Sequence, residues 1–458
     1  MSETFDAIII GAGQAGPALA GRLTGAGQRV ALVERDRIGG TCVNTGCTPT
    51  KAMVASAHAA HLARRAAGYG VSTGAVAVDL ASVVRRAQTI SANARERNEK
   101  WLGAMEGLTI VRGSARFTAP GTIAVGERTL TAPRIFLNVG GRPSRPSMPG
   151  LEQVETLDNA SLLTLRELPE HLVVVGGSYI GLEFAQMFRR FGAQVTVVEM
   201  GPRLLAREDE DISAEIRTIL EGEGIAVRTG AKCISFAPHT GGVAVGVECS
   251  EGEPQVIGSH VLLAVGRTPN TDDLGLENAG IKVDERGYVE VDDRLQTSAP
   301  GVWALGDCNG RGAFTHTAWN DFEIVAANLL DGEDRRVSLR VPGYALYIDP
   351  PLGRVGMTFA QARASGKPLL VATRPMSRVA RAIEKGETQG LMKIVADAAT
   401  RRIMGAAILG TGGDEAIHGI LDMMNADAPL DDLRWAVPIH PTVSELIPTV
   451  LLELKAEE

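Results

Sequence analysis

Ala7-Ile8-Ile9-Ile10-Gly11-Ala12-Gly13-Gln14-Ala15-Gly16 begins as a short isoleucine-rich run and breaks at once into glycines. The spacing Gly11-x-Gly13-x-x-Gly16 predicts a strand, a tight turn and the start of a helix. A second strand, Val30-Ala31-Leu32-Val33, follows and ends at Glu34. Each piece has a physical task in holding a dinucleotide. Glycines permit the tight turn and let backbone come close to a pyrophosphate, the helix N-terminus faces the phosphates, and an acid about 20 residues on accepts ribose hydroxyls. A glycine triplet alone can be coincidental turn glycines; strand, helix and acid together read as a dinucleotide-binding βαβ unit.

The pattern occurs twice. Gly11, Gly16, Gly27 and Glu34 fall on Gly176, Gly181, Gly192 and Glu199 without a gap. The second copy, Gly176-Gly177-Ser178-Tyr179-Ile180-Gly181, carries Ser178 where the middle glycine belongs, a small residue that hinders backbone approach only slightly. Glu199 would pair with a free 2′-hydroxyl and repel a 2′-phosphate, favouring NADH, whereas Arg203 and Arg207 just downstream offer a phosphate its partners. Two such folds imply two bound dinucleotides.

At 458 residues the chain is too long for one ordinary core and predicts about three domains. Its 45% hydrophobic and 22% charged composition supports a large buried interior. A net charge of -8, four scattered tryptophans and no basic run argue against an extended nucleic-acid surface and for small-molecule partners. The apolar stretch Phe5 to Ile10 lacks a basic leader and runs into glycine, so it reads as a strand and not as a signal peptide. No apolar segment approaches the roughly 20 residues needed to span a bilayer. Five cysteines with one close pair fit a reducing compartment, and a cytoplasmic location is expected.

That close pair is Cys42 and Cys47, in Gly39-Gly40-Thr41-Cys42-Val43-Asn44-Thr45-Gly46-Cys47-Thr48-Pro49-Thr50-Lys51. Two thiols at this spacing can close a disulfide if the chain coils between them. Half of a metal site and two unrelated buried thiols are the other readings of the spacing. The run closely resembles the active-site stretch of the flavoprotein disulfide reductases, the class I pyridine nucleotide-disulfide oxidoreductases that include dihydrolipoamide dehydrogenase, glutathione reductase and mercuric reductase. The resemblance covers essentially the whole chain.

It implies an α/β fold with two Rossmann-like domains, the first for FAD and the second for NADH or NADPH, followed by a C-terminal α+β dimerisation domain. The expected boundaries are 1–148 and 269–340 for the two parts of the FAD domain, 149–268 for the nicotinamide domain and 341–458 for the dimerisation domain. Ile135 to Pro143 resembles the family's exit from the FAD domain, through Gly140, and Leu262 to Pro269 the return, through Gly266. Gly11, Gly13, Gly16, Glu34, Thr41, Lys51, Ala115, Gly140, Asp307 and Thr315 are then expected at FAD. Gly176, Ser178, Tyr179, Gly181, Glu199 and Gly266 are expected at the nicotinamide cofactor. Asp307 would bind the ribityl chain, although an ordinary turn acid is the other reading. His316, beside Thr315, would contact the flavin through backbone.

The same resemblance assigns the chemistry. Cys47 would be the flavin-proximal thiol and Cys42 the interchange thiol that attacks substrate; no resident metal is implied. A thiolate is the required nucleophile, so a cation should sit near it. Ile439-His440-Pro441-Thr442-Val443-Ser444-Glu445-Leu446 resembles the family's terminal dyad, in which His440 exchanges a proton with the interchange thiol and Glu445 orients it. Thr442-x-x-Glu445 is also a capping box, and both roles can coexist. The His440-Pro441 bond is expected cis, as in relatives. Lys51 and Glu183 resemble the pair that meets near the flavin, and Tyr179 the aromatic gate that covers it; a solvated lysine, a helix-face acid and a packing tyrosine are the alternatives.

From about Val341 onward, strands at 390–395 and 403–408 and a helix at 414–425 are expected. In the family this domain makes a homodimer and lends its histidine to the partner's site. Cys233, Cys249 and Cys308 read as inert buried thiols, and His58 and His61, one helical turn apart, as an exposed pair. The last cysteine is Cys308, so the C-terminal thiol pair of mercuric reductases proper and of the larger thioredoxin reductases is not expected. Tyr347 to Thr358 and the Pro49-Thr50-Lys51 variant look most like the mercuric-reductase-like branch without those thiols. The leading expectation is an NAD(P)H-dependent FAD enzyme acting on a small disulfide or a thiol-reactive metal ion. Dihydrolipoamide dehydrogenase, and an electron-transfer or binding subunit with a vestigial disulfide, are the alternatives.

Overall fold

A computed structural model describes residues 2–248 and 253–457; Cys249 lies outside the described residues. The chain forms two compact units, one of residues 1–52, 82–144 and 266–340, the other of residues 53–81, 145–265 and 341–458.

The first unit is built on a five-stranded parallel sheet in the order Val302–Ala304, Ile135–Leu137, Ala7–Ile10, Val30–Glu34, Leu108–Arg112. Ile8, Ile10, Ala31, Val33, Ile135 and Leu137 pack into one hydrophobic cluster, and Ala7, Ile9, Val30, Leu32 and Phe136 into another. Both faces of the sheet are thus covered, which explains why its strands read as unbroken apolar runs. Each fully buried isoleucine contributes about 1.5–3 kcal/mol relative to exposure. Helix Ala15–Gly25 buries Ala15, Leu19, Ala20 and Leu23, and it carries Pro17 in its first turn, where a missing N–H costs nothing. The expected exit and return are the short strands Gly141–Pro143 and Arg267–Pro269, which pair antiparallel with each other.

The second unit repeats the βαβ theme. Its parallel sheet runs Ala226–Arg228, Gln194–Val198, His171–Val175, His260–Leu263. The pairing Leu172 with Val195 reproduces Ala7 with Val30, the register required by the repeat. Helices Tyr179–Phe191 and Glu210–Gly222 accompany this sheet. A six-stranded sheet follows, ordered Gly343–Leu346, Leu352–Gly356, Arg402–Leu409, Leu391–Asp397, Leu369–Pro375, Lys455–Ala456. Residues 413–425 are two short helices, Gly413–Ala416 and His418–Asn425, instead of the single helix expected from periodicity.

Among the described residues, no helix is long and apolar enough to cross a membrane.

Candidate active site

Close backbone approach explains the glycines in both copies. A Cβ on Gly11 would lie 2.3 Å from the Asn138 carbonyl oxygen, and one on Gly16 would lie 2.3 Å from that of Gly11. In the second copy the matching distances are 2.3 Å from Gly176 to Ala264 and 2.1 Å from Gly181 to Gly176. No side chain fits at any of the four. Gly13 is a softer case, with the Asn138 side chain 2.9 Å from its would-be Cβ and Gly40 packed against it.

The acids sit alike. Glu34 accepts hydrogen bonds from the Ala12 and Asp36 amides, each at 2.8 Å, and Glu199 accepts from those of Gly177 and Gly201, each at 2.6 Å. Each carboxylate is therefore fixed at the mouth of its glycine turn, where a ribose would lie. These glycine turns, packed too closely against backbone for any Cβ, together with the anchored acids, fit two dinucleotides. Ser178 is exposed at the helix N-cap and makes no capping bond. Arg203 bonds Glu210 at 2.9 Å and the carbonyls of Ala206 and Glu208, so it is already committed, while Arg207 is exposed.

Asn138 was not singled out from sequence. Its Oδ1 accepts from the Gly16 amide at 3.0 Å and its Nδ2 donates to the Leu305 carbonyl at 3.2 Å, locking the turn to the strand before Asp307. A polar residue inside the apolar run 135–139 is the signal that could have found it. Arg267 Nε stands 3.7 Å from Asp307, whose carboxyl burial pushes upward and Arg267 pulls back down. The Gly140 carbonyl accepts from Asn270 and the Gly266 carbonyl from Ser144, each at 3.0 Å, fastening exit to return. Ala115 is buried and pairs with Val125. The Thr41 carbonyl accepts from Thr45 inside the cysteine loop.

Cys42 lies in the short helix Gly40–Asn44, and Cys47 is the first residue of helix Cys47–Arg65. The chain thus coils between them, and the two thiols hydrogen-bond each other. That bond is the main reason the Cys47 thiol is lowered to about 6; Thr315, whose Oγ1 lies 3.4 Å from Cys47 Sγ, and the charge of Lys51 add to it against the effect of burial. Position at a helix N-terminus works in the same direction. The same bond, with burial, pushes Cys42 up. The two opposite shifts favour the thiolate on Cys47. The Thr315 hydroxyl contact is a second feature that sequence reading missed.

In the second unit, Glu183 is buried and accepts from the Tyr347 amide at 3.0 Å. The Tyr179 ring meets Tyr344 edge-on at 5.2 Å, and burial raises its hydroxyl's pKa. His440 Nδ1 lies 2.9 Å from Glu445 Oε2, and the His440-Pro441 bond is cis. Thr442 Oγ1 accepts from the Glu445 amide at 3.2 Å, but the helix starts only at Leu446 and the Glu445 carboxylate serves the histidine instead of closing a capping box.

Other expectations change. Cys308 is buried, but Cys233 is exposed, because it sits with φ +46° at an irregularity between Lys232 and Ser235 that turns it out of its strand. His58 and His61 are half-buried instead of exposed, and His58 Nδ1 bonds Asp349 Oδ2 at 2.8 Å. The His316 ring stacks on Phe314.

Comparison with known proteins agrees with this arrangement. Residues 5–321 match the pyridine nucleotide-disulphide oxidoreductase family and residues 343–451 its dimerisation domain. The chain is 37% identical over 451 residues to the probable pyridine nucleotide-disulfide oxidoreductase RclA of Escherichia coli, covering 96% of this chain and 97% of that one. It is 34% identical to a mercuric reductase of Streptomyces lividans, covering 97% of this chain and 94% of that one. The solved structure of the HOCl-induced flavoprotein disulfide reductase RclA matches with a TM-score of 0.88 at 36% identity, over 98% of this chain and 99% of that one. A Cu(II) complex of that protein matches with a TM-score of 0.89 over the same shares. The chain belongs to the class I pyridine nucleotide-disulfide oxidoreductases: it is a flavoprotein enzyme of the RclA and mercuric reductase type, with FAD as cofactor, NAD(P)H as reductant and two Rossmann-type domains ahead of a dimerisation domain.

Proposed function

We propose that this enzyme, as a homodimer, uses NADH to reduce a small disulfide through Cys42 and Cys47, with His440 serving the site of the partner subunit. The observation that carries the reading is the asymmetry of the thiols: Cys47 is poised as thiolate by Cys42, Thr315 and Lys51, whereas Cys42 needs a base. His440, backed by Glu445 and exposed on a tail with Trp435, Val437 and Ile439 also exposed, suits a base presented to a second subunit.

In this reading His440 takes the Cys42 proton, and the Cys42 thiolate attacks the acceptor disulfide, expelling one thiolate that His440 protonates. Cys47 then attacks the Cys42 sulfur, closing the bridge and releasing the second thiolate. Bound FAD supplies the two electrons that reopen the bridge, drawn from NADH. Gly11, Gly13, Gly16, Glu34, Thr41, Lys51, Ala115, Gly140, Asp307 and Thr315 would hold FAD. Gly176, Ser178, Tyr179, Gly181, Glu199 and Gly266 would hold NADH.

Anaerobic titration with NADH tests the relay: a long-wavelength thiolate-to-flavin band is expected, and Cys47→Ser abolishes it. Simple bleaching of the untouched protein would overturn the relay. A turnover screen of lipoamide, glutathione disulfide, Hg(II) and Cu(II), with dihydrolipoamide plus NAD in the reverse direction, identifies the acceptor. The copper arm is the second reading, favoured by the Cu(II) complex of the RclA relative; there each dithiol would reduce two Cu(II) to Cu(I).

The committed Arg203 and the anchored Glu199 support NADH over NADPH. Glu199→Gln, which removes the repulsive charge, is expected to raise the NADPH to NADH ratio of kcat/KM by roughly 10-fold, about 1.4 kcal/mol. Steady-state kinetics with both nucleotides checks this, and an unchanged ratio would remove Glu199 from the selection.

A further inference from the structure

Helix Tyr179–Phe191 carries Tyr179, Glu183, Gln186 and Arg190 at intervals of one turn, so the four form one stripe. Every member of that stripe meets the segment 344–349. Tyr344 lies edge-on to Tyr179 at 5.2 Å, and the Tyr347 amide donates to Glu183 at 3.0 Å. Gln186 donates to the Asp349 carbonyl and accepts from the Asp349 amide, both at 2.7 Å, and Arg190 bonds the Asp349 carboxylate at 2.6 Å. The far end is the firmest. Arg190 also pairs with Glu223 at 2.7 Å, and although burial opposes the charge, His58 and Arg190 hold the Asp349 carboxyl well below its ordinary range.

The near end is different in kind. Here Tyr179 meets the segment ring to ring, at the helix turn that follows Gly176 and Ser178. Tyr344 itself is set by its strand, in register opposite Arg354, whose guanidinium is bound by Glu208 and Asp209. A fixed ring thus faces a ring at the start of the helix.

We infer that Tyr344 is a positioning residue for Tyr179: it parks the gate ring, and nicotinamide entry must break this edge-on contact. The inference rests on the reading of Tyr179 as the gate. Such ring pairs are worth enough that their loss shifts an equilibrium about 2- to 10-fold.

The test compares NAD with ADP-ribose, which has the same dinucleotide framework without nicotinamide, by calorimetric titration of the FAD-loaded dimer. Tyr344→Leu is expected to tighten NAD about 2- to 10-fold and leave ADP-ribose unchanged, while Tyr344→Phe keeps both at wild-type values. Equal shifts for both ligands would reduce Tyr344 to a structural support, and no shift, or weaker NAD, would overturn the parking role. Tyr179→Ala separates the two layers of argument. If it leaves the NAD to ADP-ribose ratio unchanged, the gate reading itself fails; if it moves the ratio and Tyr344→Leu does not, only the present inference fails.

Discussion

His440→Ala is expected to slow disulfide turnover by roughly 100- to 10,000-fold while leaving the rate of flavin reduction by NADH at the wild-type value. The asymmetry follows from where protons are needed. Cys47 is already lowered to about 6 and needs no base, but Cys42 is pushed up by its bond to Cys47 and by burial. With Nδ1 held at 2.9 Å by Glu445, Nε2 is the nitrogen left to exchange that proton. Without the imidazole, Cys42 must lose its proton to solvent, so turnover of the variant should climb as pH rises. Stopped-flow reduction and steady-state turnover across pH separate the two half-reactions; unchanged turnover would remove His440 from the mechanism. Heterodimers of Cys42→Ser with His440→Ala subunits test whether the histidine works across subunits. Each such heterodimer would keep one complete site if it does and none if the histidine serves its own chain.

Much of this arrangement is legible in the sequence because backbone geometry admits few residues there. Gly11 and Gly176 sit against carbonyl oxygens that exclude any Cβ, so the repeat survives as spacing that can be read directly. The cysteine run is likewise local, since a five-residue helix brings Cys42 back toward Cys47. What stayed hidden depends on pairings far apart in the chain. His58 finds Asp349 and Tyr179 finds Tyr344, and nothing near either residue announces the partner. Cys233 shows a different limit: its neighbours read as a strand with a buried thiol, yet the irregular pairing there turns it outward. Glu445 was ambiguous for a good reason, because its amide bonds Thr442 as a capping box would require while its side chain answers His440 instead.

Arg354 shows how much of the second unit depends on one charge. The residue is 1% exposed, and its Nε and Nη2 donate to Glu208 Oε2 at 3.0 and 2.6 Å, with Nη2 also reaching Asp209 Oδ2 at 2.9 Å. Asp209 in turn accepts from the Phe359 amide at 2.8 Å, and Lys393 stands 3.6 Å away. Arg354→Met therefore strands two buried carboxylates and is expected to cost about 3–5 kcal/mol, read as a lower denaturation midpoint. Burial already raises the Glu208 carboxyl even with Arg354 in place, and removing the cation raises it further. A group whose folded pKa lies above its unfolded one stabilises the fold at low pH and loses that contribution as pH rises through the folded value. The deficit of Arg354→Met should accordingly be larger at pH 8 than at pH 5, and adding Glu208→Gln should recover part of it at the higher pH. A pH-independent loss, unrelieved by that second substitution, would mean that packing of the long side chain, and not its charge, holds the region together.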